Sequence, residues 1–285
     1  MEDEKRYRRR LSDLSLIDDY LFGLFIQEAG SEEILKELLE CMLDIKINRV
    51  SIKHKQHEVT NEPNLQGVRL DAFVQDDKET LYDIEVQTVN RNNIPKRMRY
   101  YQSMIDREQM PSGTYEYNKL PKSIIIFVTD FDLFEKGLYR YTFENICKED
   151  NSLNLGDESV KVILNTKGRV RKGIKTELIE LLEYFHSSTE EVAEKASGTI
   201  VKKLDKMLKP IKYSPKFGGD FMSFEEKIYS ERSEAREQGR QEGRLEGRQE
   251  GRQEGRQEER QETIEAMRKL GISEEQIEAI YSERR

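Results

Sequence analysis

The sequence predicts an α/β domain, a mixed sheet flanked by helices, followed by a charged helical extension at the C-terminus. Three observations carry that prediction. Residues 122–129, KSIIIFVT, are a continuous apolar run of the kind that fills a strand covered on both faces. Residues 69–87, RLDAFVQDDKETLYDIEVQ, read as two short strands with a turn between them. Around both lie segments whose apolar residues recur at helical spacing, and strands mixed with helices of this length are the pattern of an α/β domain.

Taken in order, residues 1–13 read as a flexible leader and residues 14–210 as the folded domain. A first helix begins at Asp18, with Leu21, Phe22, Phe25 and Ile26 on one face and Gly30 as its stop. Ser31, followed by Glu32 and Glu33, caps a second helix that turns Ile34, Leu35, Leu38, Leu39 and Met42 inward. Residues 47–59 alternate loosely as a strand, and Asn61-Glu62-Pro63-Asn64 is a turn cluster. After the hairpin, Pro95 starts a helix through KRMRYYQSMIDREQM that presents Met98, Tyr101 and Ile105 to the core. Residues 138–146 and 160–165 read as strands, and 174–186 and 189–209 as helices. Residues 211–224, which contain Gly218-Gly219, then read as a linker.

The remainder differs in kind. Residues 225–260 are dominated by a four-residue repeat, GRQEGRLEGRQEGRQEGRQE over 239–258. On a helix this spacing stacks Arg244 over Arg248 and Glu246 over Glu250, like over like. Each of its five glycines costs a helix ~1 kcal/mol relative to alanine. Two readings stand: a charged, partly helical spacer, or a glycine-striped helix that makes a homo-oligomer through close backbone approach. Residues 261–285 read as a short helical hairpin, with Gly271 as a stop, Ser273 as an N-cap and Ile277 and Ile280 on the second helix.

Composition narrows the function classes. The N-terminus MEDEKRYRRRL has no apolar segment behind it, and no apolar run approaches the ~20 residues of a membrane span. Two cysteines, Cys41 and Cys147, without CxxC spacing suggest a reducing, cytoplasmic setting. His54 and His57 read as a polar strand face rather than as zinc ligands. The net charge of −8 does not favour non-specific binding of nucleic acid by the whole chain. Residues 88–123 run against it, with seven basic residues to three acidic ones, immediately after the acidic hairpin.

That hairpin is the one stretch with chemistry in it. With its turn centred on Lys78, Asp71 lies opposite Glu85. Alternation puts Asp83, Glu85 and Gln87 on one side of the second strand and Tyr82, Ile84 and Val86 on the other. On the first strand Leu70, Ala72 and Val74 share the apolar face. Like charges opposite one another destabilise a sheet unless a divalent cation bridges them, and Mg2+ takes one or two carboxylates plus waters and phosphate oxygens. The competing reading is a solvated hairpin whose acids face water.

The order Asp71, strand turn, then Glu85-Val86-Gln87 on the next strand resembles the signature of PD-(D/E)XK nucleases, which is Asp, strand turn, then Glu-X-Lys. Beyond it, DDYLFGLF, RLDAFVQDD, YDIEVQ, RMRYYQSMID, PKSIIIFVTDFD and the tail EGRQEGRQEGR resemble the recombination-promoting nuclease/transposase family of that superfamily. The resemblance implies a restriction-endonuclease-like mixed sheet and metal-assisted hydrolysis of DNA phosphodiesters. It implies Mg2+, with Mn2+ as substitute, held by Asp71, Glu85 and the backbone carbonyl of Val86. Asp18 or Asp19 would either complete that metal shell or cap the first helix. Gln87 stands where the wider superfamily has a lysine, and a glutamine can only hydrogen-bond where a lysine supplies charge. Lys96, Arg97, Arg99 and Tyr101 would lie near the phosphate backbone of DNA, although Tyr101 also fits a core aromatic. The alternative is a nuclease fold that cuts weakly or not at all and binds DNA or protein, with an oligomerising tail.

Overall fold

A computed structural model describes residues 9–28, 31–59, 68–110, 113 and 116–282. Gly30, the 61–64 turn cluster and the side chains of His54 and His57 lie outside what it describes. Six strands form one mixed sheet: β1 (Val50–Val59), β2 (Val68–Asp76), β3 (Leu81–Gln87), β4 (Ser123–Thr129), β5 (Arg140–Phe143) and β6 (Ser159–Asn165), in the order β1-β2-β3-β4-β6-β5. The first three form an antiparallel meander. β3, β4 and β6 run parallel, and β5 pairs antiparallel with β6 at the edge. Helix α3 (Ile94–Gln109) supplies the crossover that the parallel pair β3–β4 needs.

Every residue of β4 is buried, as an apolar run with cover on both faces requires. Ile125 and Phe127 face α3, meeting Ile94, Met98 and Ile105. Ile124, Ile126 and Val128 face the other layer, which comprises α1 (Asp19–Gln27), α2 (Ser31–Leu43), α4 (Thr176–His186), α5 (Glu190–Lys195) and α6 (Thr199–Lys212). The α3 side of the sheet is thus thinly covered, and that side carries the acids.

The hairpin has the register expected from its sequence: Ala72 faces Ile84, Phe73 faces Asp83, Val74 faces Tyr82 and Gln75 faces Leu81. Asp76 builds the turn. One of its oxygens accepts the Lys78 and Thr80 amides at 2.8 and 2.9 Å, and the other accepts the Tyr82 hydroxyl at 2.8 Å. Leu70 departs from the expected face. It packs with Phe73 on the α3 side, while Ala72 and Val74 pack on the opposite side. The alternation of β2 therefore breaks at Asp71, where the β2–β3 ladder stops.

Four other expectations change. The strand at 138–146 shortens to Arg140–Phe143. Ser31 is the first residue of α2, and its hydroxyl donates to the Ile26 carbonyl at 3.0 Å. The single helix at 189–209 is two, because Glu180 accepts the amides of Ser197 and Gly198 and the Ser197 hydroxyl, holding the chain open between α5 and α6. The linker at 211–224 is mostly helix: α7 spans Pro215–Lys269, and Phe221 is buried with its ring 5.0 Å from that of Tyr20. The chain divides into compact units at Met1–Met222 and Ser223–Arg285. Within the second, Gly271 (φ +83°) ends α7, and Ser273 and Gln276 cap α8 (Glu274–Ser282) reciprocally. Ile277 is buried there, whereas Ile280 is exposed.

Candidate active site

The site lies where β2 breaks off from β3. Beyond the Ala72–Ile84 pair, side chains take over the strand's hydrogen bonds. The Asp71 amide donates to Glu85 Oε1 at 2.9 Å, and the Val86 amide donates to Asp71 Oδ2 at 3.4 Å. The two carboxylates are thereby cross-laced between neighbouring strands. A strand residue's N–H and C=O point the same way, so the Val86 carbonyl is directed to this edge as well. The Gln87 carbonyl is held from the other side by the Asp130 amide at 3.0 Å, which fixes the end of β3.

Burial makes these acids unusual. Asp83 is 1% exposed and Glu85 2% exposed. Neither oxygen of Asp83 has a hydrogen-bond partner among the described residues. Desolvation, reinforced by the charge of Asp71, holds the Asp83 carboxyl well above the usual carboxylate range, with Arg97 opposing. Glu85 is raised in the same way, by burial first and then by Asp83 and Asp71. Its hydrogen bond from the Asp71 amide and the charge of Arg97 act against that rise.

Arg97 reaches this cluster from the first turns of α3. Nη1 donates to Gln87 Oε1 at 2.6 Å, while Nη2 donates to Glu85 Oε2 at 3.2 Å and to the Tyr101 hydroxyl at 2.9 Å. The guanidinium carbon lies 5.3 Å from the Tyr101 ring centroid and 5.1 Å from that of Phe127. Burial, and secondarily Glu85, pushes the Tyr101 phenol up to about 12, which keeps it neutral. Arg97 and Tyr101 thus turn inward to the acids, whereas Lys96 and Arg99, on the same helix, face solvent.

Asp18 and Asp19 are used locally. Asp18 precedes α1 and accepts the Ser15 amide at 2.9 Å and the Arg9 guanidinium at 3.0 Å. Asp19 is exposed, with a carboxylate oxygen 2.8 Å from the Tyr20 amide. Among the described residues no group of three or more His, Cys, Asp and Glu side chains is disposed around one ion, so neither aspartate closes a three-ligand set with Asp71 and Glu85. The remaining donors are hard oxygens from two carboxylates and one carbonyl, with the orphaned Asp83 carboxylate behind them. That set fits Mg2+, which takes one or two protein carboxylates and keeps several waters.

Sequence reasoning did not give Asp83 a role, although alternation already placed it beside Glu85 and Gln87. It also assigned Arg97 to DNA alone. The contact with Gln87 and the Phe127 platform arises from a strand and a helix brought together by the crossover, which no local pattern reports.

A mixed sheet with flanking helices and paired acids at a broken hairpin edge defines a PD-(D/E)XK nuclease-like domain. A family model described as PD-(D/E)XK nuclease family transposase matches residues 16–217, and the chain belongs to that family. Searches of curated proteins and of solved structures return no match.

Proposed function

We propose that this chain is a metal-dependent DNA endonuclease that hydrolyses phosphodiester bonds and acts with recombination or mobile elements. The observation that carries the reading is the convergence of two carboxylates, half-buried Asp71 and buried Glu85, on one strand edge beside a guanidinium. Asp71 and Glu85, with the Val86 carbonyl, would hold Mg2+ or Mn2+. A bound divalent ion would neutralise phosphate charge and lower the pKa of a water near the phosphorus. The residues of the chain do the rest. Arg97 carries the fixed positive charge that Gln87 lacks, next to the position the superfamily lysine takes, where it can meet charge developing on the phosphate. Lys96 and Arg99 face outward on α3, placed for sequence-independent, salt-sensitive contacts with the DNA backbone. Phe127 and Tyr101 wall the guanidinium on its aromatic side.

The test is nicking of supercoiled plasmid in Mg2+ and in Mn2+. Asp71→Ala and Glu85→Ala are expected to lose at least about a hundredfold in rate, the scale on which removal of a transition-state-stabilising group acts. Either variant cutting as fast as wild type would sink the site. The second reading, a nuclease fold that binds DNA or protein without cutting quickly, is favoured by one feature: Gln87 in place of lysine. Slow cleavage by wild type, with metal affinity intact, would select it. Homo-oligomerisation through the C-terminal repeat belongs to the same proposal, and light scattering with and without residues 225–285 tests it.

A further inference from the structure

Each of the two carboxylate oxygens of Glu85 accepts a hydrogen bond. Oε1 accepts the amide of Asp71, a backbone group fixed in the sheet. Oε2 accepts Arg97, a long side chain from α3 that retains 28% of its exposure. A divalent ion on Glu85 would stand next to the Arg97 guanidinium and repel it, and Arg97, a long side chain, can swing away, whereas the Asp71 amide is fixed in the strand. Gln87 suits this arrangement. Arginine has no acceptor, so the oxygen of the Gln87 amide faces it, whereas a lysine at position 87 would set two cations side by side.

We propose that Arg97 is an exchangeable counter-cation, which neutralises the Asp71–Glu85 pair when no ion is bound and is released toward the phosphodiester when a divalent cation takes Glu85. The proposal rests on the nuclease reading above and adds to it a coupling between metal, arginine and nucleic acid. Arg97 and the ion compete for Glu85 Oε2, so each weakens the other's hold on the site. The Tyr101 and Phe127 rings that flank the guanidinium would keep it beside the site once displaced, with its two nitrogens freed from Glu85 and Gln87 and able to bond two phosphate oxygens. Metal binding and DNA binding are then positively linked through one side chain, and the link is reciprocal.

Calorimetric titration of the full-length chain with Mn2+ tests the competition directly. Arg97→Gln is expected to bind Mn2+ about fivefold or more tightly than wild type, the lower end of usual coupling between sites. Tyr101→Phe, which removes one hydrogen bond from Arg97 while keeping its charge, is expected to tighten Mn2+ binding to a smaller degree. Arg97→Lys keeps the charge without the fork and should restore affinity toward the wild-type value. The second measurement is affinity for a short DNA duplex, with EDTA and with Ca2+. Wild type should gain affinity on adding Ca2+, and Arg97→Gln should lose that gain. Equal or weaker Mn2+ binding by Arg97→Gln and Tyr101→Phe would overturn the exchange. Glu85→Ala keeps the two failures apart. If wild type binds Mn2+ and Glu85→Ala does not, an absent arginine effect refutes only the exchange. If both titrate alike, the metal reading falls with it.

Discussion

A carboxylate that is 1% exposed and has no hydrogen-bond partner among the described residues is stabilised either by a proton or by a cation. Without an ion, burial first and then the charge of Asp71 favour the protonated form of Asp83, with Arg97 as the opposing charge. The consequence for stability has a definite sign. The folded chain holds this proton to higher pH than the unfolded chain, whose carboxyl ionises near ~3.9. Stability contributed by the protonated form is present below that value and is lost as pH rises toward the folded pKa. Asp83→Asn cannot ionise. In EDTA, the urea midpoint of the wild type is therefore expected to fall more between pH 5.5 and pH 8 than that of Asp83→Asn. Parallel pH profiles would show that Asp83 is not the residue being titrated. Asp71 and Glu85 were legible as a facing pair because a hairpin register follows from its turn. Arg97 in the Glu85–Gln87 position was not legible, since the partner lies on another element and depends on how α3 seats against β4.

At the scale of elements, the legible ones carried their own signal. β4 announced itself by seven residues that need cover on both sides, and the hairpin by its alternation about a turn centred on Lys78. The elements misread were those whose limits are set by a distant side chain. Glu180 on α4 ends α5 and starts α6, so no breaker in 189–209 marked the interruption strongly enough to be read. The α7 repeat is a different case. Its glycines and stacked like charges argue against helix, yet three of every four residues are good helix formers, and the helix runs unbroken to Lys269. A Cβ at Gly243, Gly247 or Gly251 would meet nothing within 4 Å. The triple change of these three to alanine is thus expected to stabilise the helix by ~1 kcal/mol per site and to slow amide exchange over 239–258 accordingly. Unchanged protection would mean that the helix is already held by contacts with another copy. In that case light scattering should show the alanine variant losing mass.

For the whole molecule, the informative boundary is the end of the first compact unit. Lys209-Pro210 and Gly218-Gly219 look like punctuation, and a local reading puts a linker between them. Pro210 instead sits in the last turn of α6, and Pro215 opens α7 at the position where a missing N–H costs least. What decides the matter is tertiary: Phe221 is 1% exposed and packs on Tyr20 of α1 at the far end of the chain's first unit. A single fully buried ring outweighs the propensity of two glycines, because its removal costs ~3–5 kcal/mol while each glycine costs a helix ~1 kcal/mol. The unit that carries the acids therefore needs the chain through Met222, beyond the linker expected from the sequence. A chain truncated after Phe224 is expected to melt within a few degrees of the full-length first unit and to keep the proposed metal-dependent nicking. Truncation after Lys212, or Phe221→Ala in the full chain, should lower the midpoint of the same transition by roughly 6–20 °C if ~3–5 kcal/mol is spread over a domain of this size. Equal midpoints for the two truncated chains would remove Phe221 from the core and return residues 213–224 to the role of a linker.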